Sequence, residues 1–299
     1  MTDDGGFRLL IVSLAQTTHE AAVAQNIAVP NDTQAKTERH STTTSKNFSY
    51  ETNQLLAELM VAAVLLRETT APSRRVQIAL LQRDGTRLIS DSLPDGLTRG
   101  LVNPGKKVHP PGNSSRSARL EVTYTQPNGA LHKGIIEVNE ETDISAAMMT
   151  YLQESEQILS TLALGHGTHP IGNSGERGIW AIGFVVQLLP ELAHEQLETM
   201  TERLAANPLA NLLGDTEPPT PEILIERLFA DWKYTVLADS PIHFGCNCSR
   251  ERFIAGLSTL AQTEINSVVA EKKPLELRCD GCGQTYSIQP NELKKLIGP

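Results

Sequence analysis

The chain is poor in aromatic residues, in cysteine and in positive charge. Phe, Tyr and Trp make up 4% of its 299 residues, so a core must be built from Leu, Val, Ile and Ala. Lys and Arg total 26 against 35 Asp and Glu, a formal net charge of −9. Binding duplex nucleic acid requires clustered cations to neutralise phosphates, so this balance argues against a nucleic-acid partner. No run reaches the roughly 18 apolar residues of a membrane span. The best, Leu55 to Leu66, is interrupted by Glu58. The opening Met1-Thr2-Asp3-Asp4-Gly5-Gly6 is acidic where a signal peptide is basic, and a cytoplasmic protein without a membrane partner is expected. There is no G-x-S-x-G elbow and no phosphate-binding G-K-S/T loop, so no catalytic function is expected.

What is present divides into three parts by charge. Residues 1–190 carry a net charge of −3, residues 191–242 of −7 and residues 243–299 of +1. The first part reads as an α+β domain with an antiparallel sheet and packed helices. Leu9 to Ala15 is a strand candidate and Thr18 to Gln25 a short helix. Leu55, Leu56, Leu59, Met60, Ala63 and Leu66 recur at helical spacing. Val76, Ile78 and Leu80 alternate before an Asp84-Gly85 turn and a return strand at Leu88 and Ile89. A second hairpin is expected to pair Leu120, Val122 and Tyr124 with Ile135, Ile136 and Val138 around Pro127-Asn128-Gly129. A helix follows over Ile144 to Leu162, and the apolar run Ile179 to Leu189 reads as a strand buried on both faces. Tight hairpins disfavour a doubly wound parallel sheet. The Ser/Thr-rich tract at 30–47 and the Gly/His-rich stretch at 165–178 read as loops.

The second part, residues 191–242, reads as a helical linker. Leu192, Leu197, Met200 and Leu204 line one helix face, Pro218-Pro219-Thr220-Pro221 breaks the chain, and Ile223 to Trp232 resumes a helix. Its acidity beside its apolar content makes it a segment that folds against something else rather than alone.

All four cysteines lie in the third part: Cys246, Cys248, Cys279 and Cys282. In a reducing compartment such a cluster points to metal or redox chemistry rather than a disulfide framework. Four thiolates complete a tetrahedral zinc site, and C-x-x-C is a common half-site. The C-x-C half is tighter than usual and can close into a strained, readily reduced disulfide loop once a metal leaves. Ser249 is expected to cap a helix to about Leu260 and Thr263 another to about Ala270. Leu275 and Leu277 read as a strand entering a knuckle that ends at Gly283.

Phe244-Gly245-Cys246-Asn247-Cys248-Ser249-Arg250-Glu251-Arg252, with Arg278-Cys279-Asp280-Gly281-Cys282-Gly283, resembles the C-terminal signature of the redox-regulated thirty-three-kilodalton heat-shock chaperones. The resemblance extends to Arg227-Leu228-Phe229, Tyr234-Thr235-Val236, Ser155-Glu156-Gln157 and Ala181 to Pro190. Gly281, where an aromatic is common, and Ile288, where Phe is usual, depart from it. The resemblance implies an ATP-independent holdase, inactive when reduced and zinc-bound, that binds unfolding client proteins after oxidation and dimerises when active. It implies one zinc ion on Cys246, Cys248, Cys279 and Cys282, and disulfides Cys246–Cys248 and Cys279–Cys282 on oxidation. The linker at 191–242 is then the element that unfolds. Its apolar residues Leu209, Leu212, Leu213, Ile223, Leu224, Leu228 and Phe229 become candidates for client binding, although packing against the first domain explains them equally well.

A different reading makes the C-terminal part a zinc ribbon that recruits nucleic acid or a transcription partner. Its net charge of +1 gives that little support. The Gly165-His166-Gly167-Thr168-His169 stretch reads as a flexible surface hairpin rather than a phosphate loop or a histidine metal site.

Overall fold

The computed structural model describes residues 1–24, 49–70, 72–104, 118–138, 143–171, 176–189, 194–206 and 218–296. The chain divides into two compact units, Met1–Phe244 and Gly245–Pro299. The expected loop at 30–47 lies outside the described residues, as do Leu209, Leu212 and Leu213.

The first unit is organised by helix α2 (Tyr50–Thr70), whose residues from Leu59 to Leu66 are all buried. A helix apolar on every side must be covered on every side. Here α2 lies against two sheets, touching β1 (Phe7–Ser13), β7 (Ser160–Ile171) and β8 (Glu176–Leu188) of one, and β2 (Arg75–Leu81), β3 (Arg87–Ser92) and β4 (Leu97–Asn103) of the other. The larger sheet has the order β6-β5-β2-β3-β4-β9, with β5 at Ala118–Thr125, β6 at Leu131–Val138 and β9 at His243–Phe244. Both expected hairpins are present, with Leu80 opposite Leu88 and Leu120 opposite Ile136. All its pairings are antiparallel except β4 with β9. Val76, Ile78 and Leu80 point into the core, as period-2 alternation requires. On the opposite face Asp91 is gripped by Arg75 and Arg99, and Glu121 by Lys133, Arg87 and Arg119.

The smaller sheet has the order β1-β8-β7. Its central strand is buried at every residue from Ile179 to Val186, because an apolar cluster lies on each face. One cluster is built around α2. The other joins Phe7, Trp180, Ile182, Phe184 and Val186 to Met200 of α4 (His194–Ala206), to Leu224 and Leu228 of α5 (Pro221–Leu228), and to Phe229. Helix α1 (Ala15–Ala24) packs on β8 and β9.

The sequence reading and the structure differ at these points. The helix expected over Ile144 to Leu162 stops at Glu154 (α3, Ile144–Glu154). Gln157 then takes φ +56°, which no helix accommodates, and β7 begins at Ser160. The 165–178 stretch is a hairpin, as expected for Gly165 to His169, but not a loop where it is described: residues 165–171 and 176–178 belong to the paired strands β7 and β8. Gly167 is required there because a β-carbon would fall 2.3 Å from the Trp180 ring. Finally, β4 has no counterpart in the sequence reading.

The second unit contains α6 (Arg250–Leu257), α7 (Gln262–Ala270), the hairpin β10 (Leu275–Arg278) and β11 (Thr285–Ile288), and α8 (Pro290–Leu296). Among the described residues its fully buried apolar core is Ile265, Ile288 and Leu293, with Ile254, Leu257, Val268, Val269, Leu275 and Leu277 partly buried against it. Helix α7 is entered at Ala261 rather than Thr263, because the Glu264 carboxylate accepts the Ala261 amide at 3.2 Å.

Candidate metal centre

Two local devices present the four cysteines, both within the second unit. The first is the stretch Gly245–Ser249, whose shape is held from α6. Ser249 caps that helix, its hydroxyl accepting the Arg252 amide at 3.3 Å. Arg252 reaches back to donate to the Asn247 carbonyl at 2.7 Å, fixing the residue between Cys246 and Cys248. The second is the knuckle between β10 and β11. The Cys279 amide donates to the Gln284 carbonyl and the Gly283 amide to the Cys279 carbonyl, both at 2.8 Å. Gly283 closes the turn at φ +73°, a conformation glycine adopts without a steric penalty.

The four Sγ atoms lie within 4.8 Å of one another. Cys246 and Cys279 sulfurs are 3.7 Å apart and those of Cys248 and Cys282 3.4 Å apart. A tetrahedral ion with bonds of about 2.3 Å to sulfur sets its ligands about 3.7–3.8 Å apart, so the spacing matches a closed four-thiolate site. A disulfide needs about 2.05 Å, and all four cysteines are free. Burial pushes the Cys282 thiol up to about 12, and the neighbouring Cys248, Cys279 and Cys246 sulfurs push the same way, while a backbone hydrogen bond from Gln284 opposes them. Four sulfurs packed this closely ionise together only around a cation. The donor set fits a metal ion.

Supports surround the cluster. The Tyr286 hydroxyl lies 3.2 Å from the Cys248 sulfur, and the Tyr286 ring packs on Phe253 with centroids 5.0 Å apart. Arg250 on α6 bonds Glu292 on α8 at 2.6 Å. With three buried apolar side chains, the unit has little other means of holding its shape.

The sequence-derived apolar linker residues separate. Leu224, Leu228 and Phe229 are buried in the first unit, whereas Ile223 is 40% exposed. His243 is exposed on β9. The sequence reading missed two polar contacts. Tyr286 went unnoticed as a neighbour of Cys248. Glu58, the one acid in the apolar run Leu55 to Leu66, bonds His166 Nδ1 at 2.7 Å, and a lone acid within an apolar run was the available signal.

The chain is similar to known proteins. The solved structure of the 33 kDa chaperonin from Thermotoga maritima superposes with a TM-score of 0.73 at 22% identity, covering 98% of this chain and 94% of that one, which establishes a shared fold. The 33 kDa chaperonins of Streptococcus pyogenes serotype M49 (strain NZ131) and serotype M28 (strain MGAS6180) are 33% and 34% identical over 148 residues, 49% of this chain and 49% of each relative. The chain thus spans about half the length of the curated relatives it matches. The model of the Hsp33 protein family matches residues 1–289, and on that match the chain belongs to the Hsp33 family.

Proposed function

We propose that this protein is an oxidation-activated, ATP-independent holdase that keeps unfolding proteins from aggregating in the cytoplasm, and that it is not an enzyme. The observation that carries the reading is the four-thiol cluster in a unit whose buried core is three residues. In the reduced state Cys246, Cys248, Cys279 and Cys282 hold one zinc ion. Structural zinc contributes about 10–16 kcal/mol of apparent binding free energy at neutral pH, as much as the whole stability of a typical domain. Oxidation forms Cys246–Cys248 and Cys279–Cys282. At each pair two thiolates lose two electrons to one peroxide, which is reduced to water, and the zinc ion is released.

The chain then acts as three parts: a core domain at 1–190, a metastable linker at 191–242 and the redox-sensitive domain at 243–299. Loss of the metal unfolds the last part, and the linker loosens with it. Leu224, Leu228 and Phe229, now buried, become exposed beside Ile223 and join Leu209, Leu212 and Leu213 as apolar surface for clients. The active form is a homodimer. The negative charge of the chain argues against nucleic acid as the partner.

The test is light scattering from a thermally unfolding client without ATP, with the protein reduced and zinc-loaded or peroxide-treated. Suppression only after oxidation is expected. Equal suppression in both states removes the switch, and none in either removes the holdase.

A further inference from the structure

A sheet edge leaves main-chain donors and acceptors over, and folds commonly cover them. Strand β4 is covered by β9. At the edge of the smaller sheet the Thr2 hydroxyl accepts the Phe7 amide of β1 at 3.0 Å, and its neighbours Met1 and Asp3 bond Thr235 and Lys233. At its other end the larger sheet stops at β6. There the Gln126 amide donates to the Ala130 carbonyl at the hairpin turn, in register with the pairing of β5 and β6. Alternation along an antiparallel ladder therefore turns the amides and carbonyls of His132, Gly134 and Ile136 toward β5 and those of Lys133, Ile135 and Glu137 away from it. These outward groups have no partner among the described residues. The strand contains no proline, and its register with β5 is unbroken.

The side chains at the same three positions share the outer face of the sheet. Ile135 lies opposite Glu121 and is 52% exposed. Glu137 is exposed and has no cation partner among the described residues. The Lys133 ammonium stands 2.9 Å from Glu121, and its side chain is still 47% exposed. Arg87 and Arg119 hold the same carboxylate, each at 3.2 Å, so Lys133 has donors to spare for a second acid.

Along the strand the order cation, apolar, anion is its own complement. Two antiparallel copies centred on Ile135 set Lys133 against Glu137 twice and Ile135 against itself. Centring them on Gly134 sets Lys133 against Ile135, and centring them on Lys133 or on Glu137 sets like charges face to face, which is unfavourable. We propose that β6 pairs with β6 of a second copy of this chain, antiparallel and about a two-fold axis at Ile135. An isologous contact of this kind closes on itself and gives a dimer rather than a filament. The three facing pairs exchange about six main-chain hydrogen bonds and join two six-stranded sheets into one. Strand β6 lies in the core domain that the switch leaves folded, so the edge exists in the reduced and the oxidised chain alike. The inference goes beyond the homodimer of the active form by naming the strand that joins it and by requiring no oxidation.

Sedimentation velocity of the full chain over a range of concentrations, reduced and zinc-loaded or peroxide-treated, reads the association. A dimer is expected in both states, with closely similar dissociation constants. Glu137→Lys turns both charge pairs repulsive and should weaken the dimer by about tenfold or more. Ile135→Pro removes the outward amide at the axis without touching the β5 ladder and should do the same. Ile135→Cys is the positive counterpart. Facing residues of a hydrogen-bonded pair have α-carbons about 5.5 Å apart, within disulfide range, so the zinc-loaded variant should cross-link into a dimer on a non-reducing gel where the parent chain does not. A monomer in both states overturns this proposal together with the homodimer of the active form. A dimer that ignores Glu137→Lys and Ile135→Pro and gives no cross-link with Ile135→Cys, or one that forms only after oxidation, overturns the β6 pairing alone.

Discussion

Tyr286 stands against Cys248, its hydroxyl 3.2 Å from the sulfur and 3.3 Å from the carbonyl of the same residue. Groups of this kind, just outside a ligand set, orient the ligands and commonly change metal affinity by about 10–100-fold. Tyr286→Phe keeps the ring on Phe253 and removes only the hydroxyl. The variant should release zinc to a chromogenic chelator about tenfold faster, with the circular dichroism of the loaded protein unchanged.

The cysteines themselves give a harsher outcome. Cys279→Ser with Cys282→Ser removes one sulfur from each of the two close cross-pairs, Cys246–Cys279 and Cys248–Cys282. Zinc content measured by atomic absorption should fall to background. The second unit, left with Ile265, Ile288 and Leu293 as its buried apolar core, should lose its amide protection. Full zinc occupancy in this variant would falsify the ligand assignment.

Phe229 is 2% exposed and packs near Trp232 and Tyr234, with ring centroids 6.2 Å and 6.3 Å away. Phe229→Ala should cost about 3–5 kcal/mol, the range for deleting a buried aromatic ring. Because the cluster it leaves also holds α4 and α5, limited proteolysis should cut within 191–242 in the reduced variant at peroxide-free conditions where the parent chain is resistant.

Acid stability should depend on Glu121. Lys133 above all, helped by Arg87 and Arg119, holds its carboxyl below the usual carboxylate range, while burial opposes them. A carboxyl lowered on folding contributes stability above its unfolded value of about 4.3, and that contribution is lost as pH falls through the lower folded value. Glu121→Gln should therefore lower stability at pH 7 by about 1–2 kcal/mol and flatten the acid limb of the stability curve below about pH 4.3, as read by urea melts at several pH values.

Elements whose burial follows a simple period were legible in the sequence. The large apolar residues that face the core fall at every second position on β2 (Val76, Ile78, Leu80) and β5 (Leu120, Val122, Tyr124), and α2 repeats its leucines at helical spacing. The cysteine cluster was legible because its chemistry depends on residue type and spacing alone. What escaped depends on distant contacts. Residues 165–171 carry the glycines and histidines of a loop, and only the Trp180 ring across the ladder explains why Gly167 sits in a strand. Strand β4 buries Thr98 and Gly100 where a hydrophobic pattern would need larger residues, since Met60 and Leu56 already fill the space over Gly100. The division of the linker residues was equally hidden. Helical spacing places Leu224 and Leu228 on one face of α5, but which face is covered depends on Trp180 and Phe184 far away in the chain.

The tie between the Met1 amino group and the Thr235 carbonyl joins positions 234 residues apart. At ribosomal speeds of about 5–20 residues per second, the interval between the two is roughly 10–50 s. During that time β1 has no β8 to pair with and Met1 to Asp3 have no Lys233–Thr235 stretch, so the apolar side chains and main-chain groups of β1 stand in solvent. A protein read here as a guardian of unfolding chains is thus itself, during its own synthesis, a chain in need of protection.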